Sequence, residues 1–311
     1  MILCCGEALI DMIPTPDASG GTAYAPHTGG AIFNTAIALG RLGADAGLLS
    51  GVSTDGFGEM LAAALQANQV KTGCLIRSDR LTTLAIVHLS GGKAVYSFYD
   101  ENSAGSAITE ADMPALPDGI TALYFGGISL VAEPAATAYE ALMSQAQGTS
   151  TIVLDPNIRS GFITDEPAYR ARLARMIAKS DIVKVSDEDL DWIAPEGGTL
   201  IDRARQMCQT GPQFVVVTKG EHGASVVSRN ADADIPAVVT KVADTVGAGD
   251  TFNAGMMVGL NRIGLLDKSR LAAAQVEDLR PALTLGARAA AVTVSRTGAN
   301  PPWAAELDAA V

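Results

Sequence analysis

Between Ile120 and Thr218 the chain switches repeatedly between two hydrophobic patterns, and few folds accommodate that switching. Ile120 to Phe125, Thr151 to Asp155, 182–185 and Phe214 to Thr218 read as short strands. Between them, 134–147, 168–178, 187–193 and 199–209 carry apolar residues at helical spacing. Strands alternating with helices of this length indicate a parallel sheet covered on both faces. The expected fold class is therefore α/β, three layers with a mainly parallel central sheet. The first part of the chain continues the series. Met1 to Ile13 reads as a strand interrupted by Gly6-Glu7, 31–42 as a helix, Ala46 to Val52 as a strand, and Leu61, Ala64 and Leu65 as the next helix. The alanine-rich 280–296 predicts a closely packed helix leading to a strand.

The pattern breaks at 80–100. There Thr82 to Leu89 and Lys93 to Tyr99 flank Gly91-Gly92, which is a hairpin signal. With the polar, glycine-rich 14–30, this segment predicts a small sheet projecting from the core, a lid formed by about 12–30 and 80–105. The 311 residues, 48% of them hydrophobic, suffice for a large core, and no repeat or linker divides them. One domain over 1–311 is expected.

Charge and cysteine content exclude several classes. A net charge of -12 argues against nucleic acid and anionic membrane surfaces, which want clustered Lys and Arg, but is compatible with ATP. Cys4 and Cys5 should point to opposite faces of one strand, and with Cys74 and Cys208 they show no zinc or disulfide spacing. Glu7 and Asp11 come too early for a signal peptide, and no apolar run is long enough to span a bilayer, so a cytoplasmic protein is expected. His27, His88 and His222 are scattered and have no partner in sequence; they read as non-catalytic.

The chemistry concentrates in Asp244-Thr245-Val246-Gly247-Ala248-Gly249-Asp250-Thr251-Phe252-Asn253-Ala254-Gly255. Small residues at 247–249 let backbone N–H groups approach an ion, and the helix that follows aims its orphan amides and dipole at the same point. That is an anion site. Asp250 suits a general base that takes a hydroxyl proton while the oxygen attacks a phosphoryl group held by those amides. A tight turn with an Asp cap is the competing reading of the tetrapeptide alone. Phe252 stands where a dinucleotide fingerprint needs a third glycine, and no G-x-x-x-x-G-K-[ST] loop occurs, so neither a Rossmann dehydrogenase nor a P-loop enzyme is supported.

Further candidates follow strands, where ligands of parallel sheets gather. Asp11 ends the first strand and is a sugar-hydroxyl ligand or a solvated loop residue. Gly29 and Gly30 precede a helix carrying Asn34, either as a lid-to-core turn or as substrate contacts. Asn157 and Arg159 share a rim, with Arg159 a phosphate fork or a surface ion pair. Lys184 and Ser186 open an acidic first turn, Asp187-Glu188-Asp189, which the helix dipole favours with or without a metal. Lys219 is a phosphate contact or an ordinary surface charge.

The stretch 244–255 closely resembles the C-terminal signature of the ribokinase-like (pfkB-type) carbohydrate kinases, and Gly29 to Asn34 resembles the N-terminal one. Nearly the whole chain follows. Thr82 to Ala85, Ser97 to Asn102, Phe125 to Leu130, Asp155 to Arg159 and Lys184 to Asp187 look like fructokinases within the family. The resemblance implies a ribokinase-like fold and transfer of the ATP γ-phosphate to a sugar's terminal hydroxyl, with fructose as the expected sugar. It implies Asp250 as base, with Gly247, Ala248, Gly249 and Arg159 on the transferring phosphate. Asp11, Gly29, Gly30, Asn34, Tyr99 and Asn157 would hold the sugar, and Lys184, Ser186, Thr218, Lys219, Gly220 and Gly223, with the 247–249 loop, the nucleotide. Magnesium would be organised by Asp189 or Glu188, and a monovalent cation such as potassium by Asp244 and the Val246 carbonyl. A homodimer is compatible with the family. Asp100 departs from the pattern, since many relatives have Arg after the Phe-Tyr pair. The alternatives are a 2-keto-3-deoxygluconate kinase, another sugar or nucleoside kinase, or a non-catalytic sugar- or nucleotide-binding protein.

Overall fold

The apolar runs become strands of one sheet, and the computed structural model describes them within residues 1–90 and 93–308. The predicted Gly91-Gly92 turn lies outside the described residues. In chain order the strands are β1 (Ile2–Cys5), β2 (Leu9–Pro16), β3 (Thr22–Gly29), β4 (Ala46–Leu49), β5 (Gly51–Ser53), β6 (Ile76–Ser78), β7 (Leu84–Ser90), β8 (Lys93–Tyr99), β9 (Ala122–Gly126), β10 (Thr151–Asp155), β11 (Ile182–Ser186), β12 (Phe214–Thr218), β13 (Ala224–Val227) and β14 (Asp232–Ile235). The helices are α1 (Ala31–Arg41), α2 (Gly56–Ala67), α3 (Ala135–Ala146), α4 (Glu166–Lys179), α5 (Asp187–Ile193), α6 (Leu200–Thr210), α7 (Ala248–Arg262), α8 (Lys268–Ala273), α9 (Arg280–Val294) and α10 (Ala304–Asp308).

The central sheet runs β14-β13-β12-β11-β10-β9-β1-β4, parallel from β4 to β12 and antiparallel at β13 and β14. Alternate residues of each strand feed two cores, as the period of two requires. Cys4, Tyr124 and Val216 pack among residues of α1 and α7, whereas Cys5, Phe125 and Val217 pack among residues of α3, α4 and α6. The sheet is thus covered on both faces, the three-layer ribokinase-like arrangement the sequence predicts.

The lid is a separate four-stranded sheet of order β3-β2-β7-β8. Met1 to Ile13, read as one strand interrupted by Gly6-Glu7, and Ala46 to Val52, read as a single strand, each change sheet part-way. Gly6-Glu7 carries the chain from central β1 to lid β2, and Ser50 separates central β4 from β5, which pairs with β6. Two aspartates fasten the root of the lid. Asp55 caps α2 through the Gly58 N–H (2.7 Å) and accepts from the Thr82 hydroxyl (2.7 Å) and N–H (3.0 Å). Asp100 accepts from the Thr83 (2.6 Å) and Ser103 (2.7 Å) hydroxyls.

One expectation is corrected. The segment 280–296 ends in no strand: α9 continues to Val294 and turns follow. The β-branched Val292-Thr293-Val294 run suggests a strand locally, but Thr293 satisfies its hydroxyl on Ala289 O (3.2 Å) and Thr251 (3.0 Å) inside a helix pair. The hairpin β13–β14 has no clear periodicity in its four-residue strands and is visible only through its pairing with β12.

Candidate active site

Helix α7 starts without a side-chain cap. Gly247 occupies the N-cap position at φ 76°, a left-handed conformation that favours glycine, and no side chain bonds to the amides of the first turn. Ala248 N–H donates a long bond (3.3 Å) to Thr245 O, so Gly247 and Gly249 are the better placed of the predicted amides. Asp250, in the same turn, is 8% exposed and lies at the floor of a 370 Å³ cleft. Its Oδ2 accepts from Asn34 Nδ2 at 3.0 Å, and Asn34 stands in the first turn and a half of α1. Burial pushes the Asp250 carboxyl up to about 7, the Asn34 bond and the Lys184 ammonium pull it down, and Asp155 and Glu7 push it further up. A carboxylate poised near neutrality, beside open amides at a helix N-terminus, is equipped to accept a hydroxyl proton next to an anion.

Another wall of the cleft comes from the β1–β2 link, the lid and α1. Asp11 lies on β2 with its carboxyl raised to about 6 by burial. Gly29 makes room for it, since a Cβ there would sit 2.1 Å from Asp11 Oδ2. Gly30 is the N-cap of α1 at φ 103°. That helix end is capped across the chain by Glu7, whose Oε1 accepts from Ala31 N–H (2.9 Å) and Ile32 N–H (3.4 Å). Burial raises the Glu7 carboxyl, partly offset by these bonds and that from Ser129 N–H.

The third wall follows β10 and β11. Lys184 and Asp155, 5% and 1% exposed, form a buried ion pair at 3.0 Å. Asn253 on α7 donates to Asp155 Oδ2 (2.7 Å) and to Tyr124 (2.9 Å). Burial works against the Lys184 charge, but Asp155, Asp189 and Asp250 more than offset it, and its pKa is raised. The ammonium lies beside the anion cradle, 3.4 Å from where a Cβ on Gly249 would stand. Asn157 holds a left-handed φ of 43°, with its N–H on Asp155 Oδ1 (3.1 Å). Arg159 is exposed at the rim, bonding only to the adjacent Ile158 O (3.0 Å) among the described residues.

The cleft thus gathers Asp11, Gly30, Asn34, Asn157, Arg159, Lys184, Val246 and 247–250 from the predicted set. Other predicted residues lie elsewhere. Tyr99 faces a different groove, with Phe57 and Leu81, while Tyr96 and Phe98 of the same strand line the cleft. Lys219 is held by Ser225 (2.8 Å) and Asp234 (2.9 Å), and Gly223 packs against β14. Thr218 bonds to Val185 O (3.3 Å), and Gly220 begins a one-turn helix. Ser186 and Asp189 form a reciprocal cap on α5, and Asp189 Oδ1 accepts from Ile158 N–H (2.9 Å). Both Asp189 oxygens therefore hold backbone, and Glu188 is exposed beside it. Asp244 likewise ties Val246 N–H (3.1 Å) to Gly298 N–H (2.8 Å), fastening the loop before α7 to the turn after α9. No group of three His, Cys, Asp or Glu able to cage a metal occurs among the described residues. Sequence reasoning missed Glu7, Asp155 and Asn253. For Glu7 and Asp155 the signal available was a carboxylate at or just after a strand end, but burial alone distinguishes these two from surface acids; Asn253, inside α7, carries no such signal.

The description pfkB family carbohydrate kinase matches residues 1–306. The chain belongs to the pfkB family of carbohydrate kinases. It is 48% identical over 280 residues to a fructokinase of Rhizobium leguminosarum bv. trifolii, covering 90% of this chain and 86% of that protein. A Klebsiella pneumoniae fructokinase is 32% identical, with 91% of each chain covered. Among solved structures, the ATP-bound fructokinase of Xylella fastidiosa superposes with a TM-score of 0.86 at 27% identity, covering 99% of this chain and 97% of that one. The Vibrio cholerae O395 fructokinase with fructose, ADP and a calcium ion bound gives 0.83 at 26% identity, covering 99% and 97%. As a pfkB kinase the chain is a sugar phosphotransferase, which sets aside the non-catalytic alternative. No helix of the described residues is long and apolar enough to cross a membrane.

Proposed function

We propose that this pfkB kinase transfers the γ-phosphate of magnesium-bound ATP to the 6-hydroxyl of D-fructose. The observation that carries the mechanism is Asp250, buried at the cleft floor beside the uncapped start of α7. The fructokinases at 48% and 32% identity support the sugar. Fructose lies between Asp11, Gly30, Asn34 and Asn157 under the lid. Asp250 takes the proton of the 6-hydroxyl, that oxygen forms a bond to the γ-phosphorus, and the bond to the β,γ-bridging oxygen breaks to release ADP. Charge spread over the transferring phosphoryl meets the Gly247 and Gly249 amides, the α7 dipole, Lys184 and Arg159. Magnesium bound with ATP would offset part of the phosphate charge, and Glu188, exposed in the first turn of α5, would help to organise its waters.

A coupled ADP-release assay over fructose, ribose, 2-keto-3-deoxygluconate and adenosine, each with and without potassium, tests this. Turnover on fructose that disappears in Asp250→Asn is the expected result. Efficient turnover of another sugar with none on fructose would move the substrate assignment and leave the kinase chemistry standing.

A further inference from the structure

The cleft that holds Asp250 shares part of its lining with a second, larger cavity. Phe98, Ile128 and Phe162 border the 370 Å³ cleft on one side and a 580 Å³ cavity on the other. Phe98 belongs to lid strand β8, whereas Phe162 ends the one-turn segment Ser160–Phe162 of the body. Their ring centroids are 4.1 Å apart at 75°, an edge-to-face contact joining lid to body. Side chains that face two cavities at once form a partition between them. Behind it stand Asp100, Glu133, Asp165 and Tyr169. Carboxylates accept sugar hydroxyls, and an aromatic face suits the apolar side of a sugar ring.

We propose that the Phe98–Phe162 contact sets the size limit of the acceptor, ending the sugar site and excluding fructose that carries a glycosyl substituent. The inference rests on the fructose reading above. Two rings from separate parts of the chain, with Ile128, close the side of the sugar site toward the second cavity. Removing one ring joins the two cavities, and the space gained has the polarity a second sugar unit needs. Phe162 is the better ring to change, because it belongs to the body and leaves the lid strand intact.

The test compares fructose with sucrose and inulobiose, disaccharides that keep a free fructosyl 6-hydroxyl, in wild type, Phe162→Ala and Phe162→Leu. ADP release and the mass of the phosphorylated product are the readouts. In Phe162→Ala the ratio of disaccharide to fructose kcat/KM should rise by roughly tenfold or more, the scale of steric selection in apolar pockets, and Phe162→Leu should restore most of the selectivity. An unchanged ratio in a Phe162→Ala enzyme that still phosphorylates fructose overturns the proposal. So does a folded Phe162→Ala, checked by circular dichroism, that has lost fructose turnover without gaining the disaccharides, since the contact would then serve lid closure. Should Phe162→Ala not fold, Phe98→Ala removes the other ring and is judged by the same ratio. A wild type that ignores fructose but phosphorylates another sugar defeats the fructose reading alone, and the partition is then tested with a glycoside of that sugar.

Discussion

Asp250 shows how burial gives one carboxylate a chemical role. Its pKa of about 7 against an ordinary 3.8 arises first from desolvation. Asp250→Asn should lower kcat by about 10²–10⁴-fold, the usual contribution of a positioned base, with the fold retained. The pH profile of fructose kcat/KM should fall on the acid side with a midpoint near 7, because only the ionised carboxylate accepts the proton; a midpoint near 4 would contradict the assignment. The same shift acts on stability with the opposite sign to that of a salt-bridged acid. A folded pKa above the unfolded one leaves stability unaffected below pH 3.8 and removes it as pH rises toward 7. Asp250→Asn should therefore stabilise the protein more at pH 8 than at pH 5, by at most about 3 kcal/mol of linkage, read as a larger rise in thermal midpoint at the higher pH. Lys184 and Asp155 behave differently, since each compensates the other out of water. Lys184→Met should cost about 3–5 kcal/mol by stranding the Asp155 charge, and adding Asp155→Leu should recover part of that loss in denaturant titrations.

At the scale of elements, the position of Asp250 depends on how α7 meets α9. These helices touch through backbone, because their facing residues are small. A Cβ on Gly255 would lie 2.7 Å from Gly286 Cα, and one on Gly259 would lie 2.4 Å from Ala282 Cα. Gly255→Ala should destabilise by about 1–3 kcal/mol, because backbone must move to admit the methyl group. It should also raise the KM for ATP, because moving α7 shifts the 247–249 amides; thermal unfolding and steady-state kinetics check the two effects. This pair also explains why 280–296 was half legible. Alanine content predicts close packing, and close packing is observed. The strand expected after it rests on three β-branched residues, whose local preference is weaker than the contact with α7.

The lid is a property of the whole molecule. Its root is held by Asp55 and Asp100 on Thr82 and Thr83, outside the cleft that holds Asp250. Asp100 thus anchors the root of the lid in this chain. Asp100→Ala should loosen the lid and raise both the KM for sugar and the ratio of ADP released to sugar phosphate formed, since water then reaches the phosphoryl group. Unchanged coupling would separate the hinge from water exclusion. The sequence by itself determined the alternation of strands and helices, the lid hairpin, and the Gly-Ala-Gly-Asp turn at the start of α7, because each is written in neighbouring residues. Only the tertiary structure decided that Glu7 caps α1, that Lys184 and Asn253 meet on Asp155, that Asp189 holds backbone, and that Phe98 and not Tyr99 faces the cleft. Those contacts join residues far apart in the chain or turn on the pleat of one strand, and burial, which fixes their charge and orientation, exists only once the layers have packed.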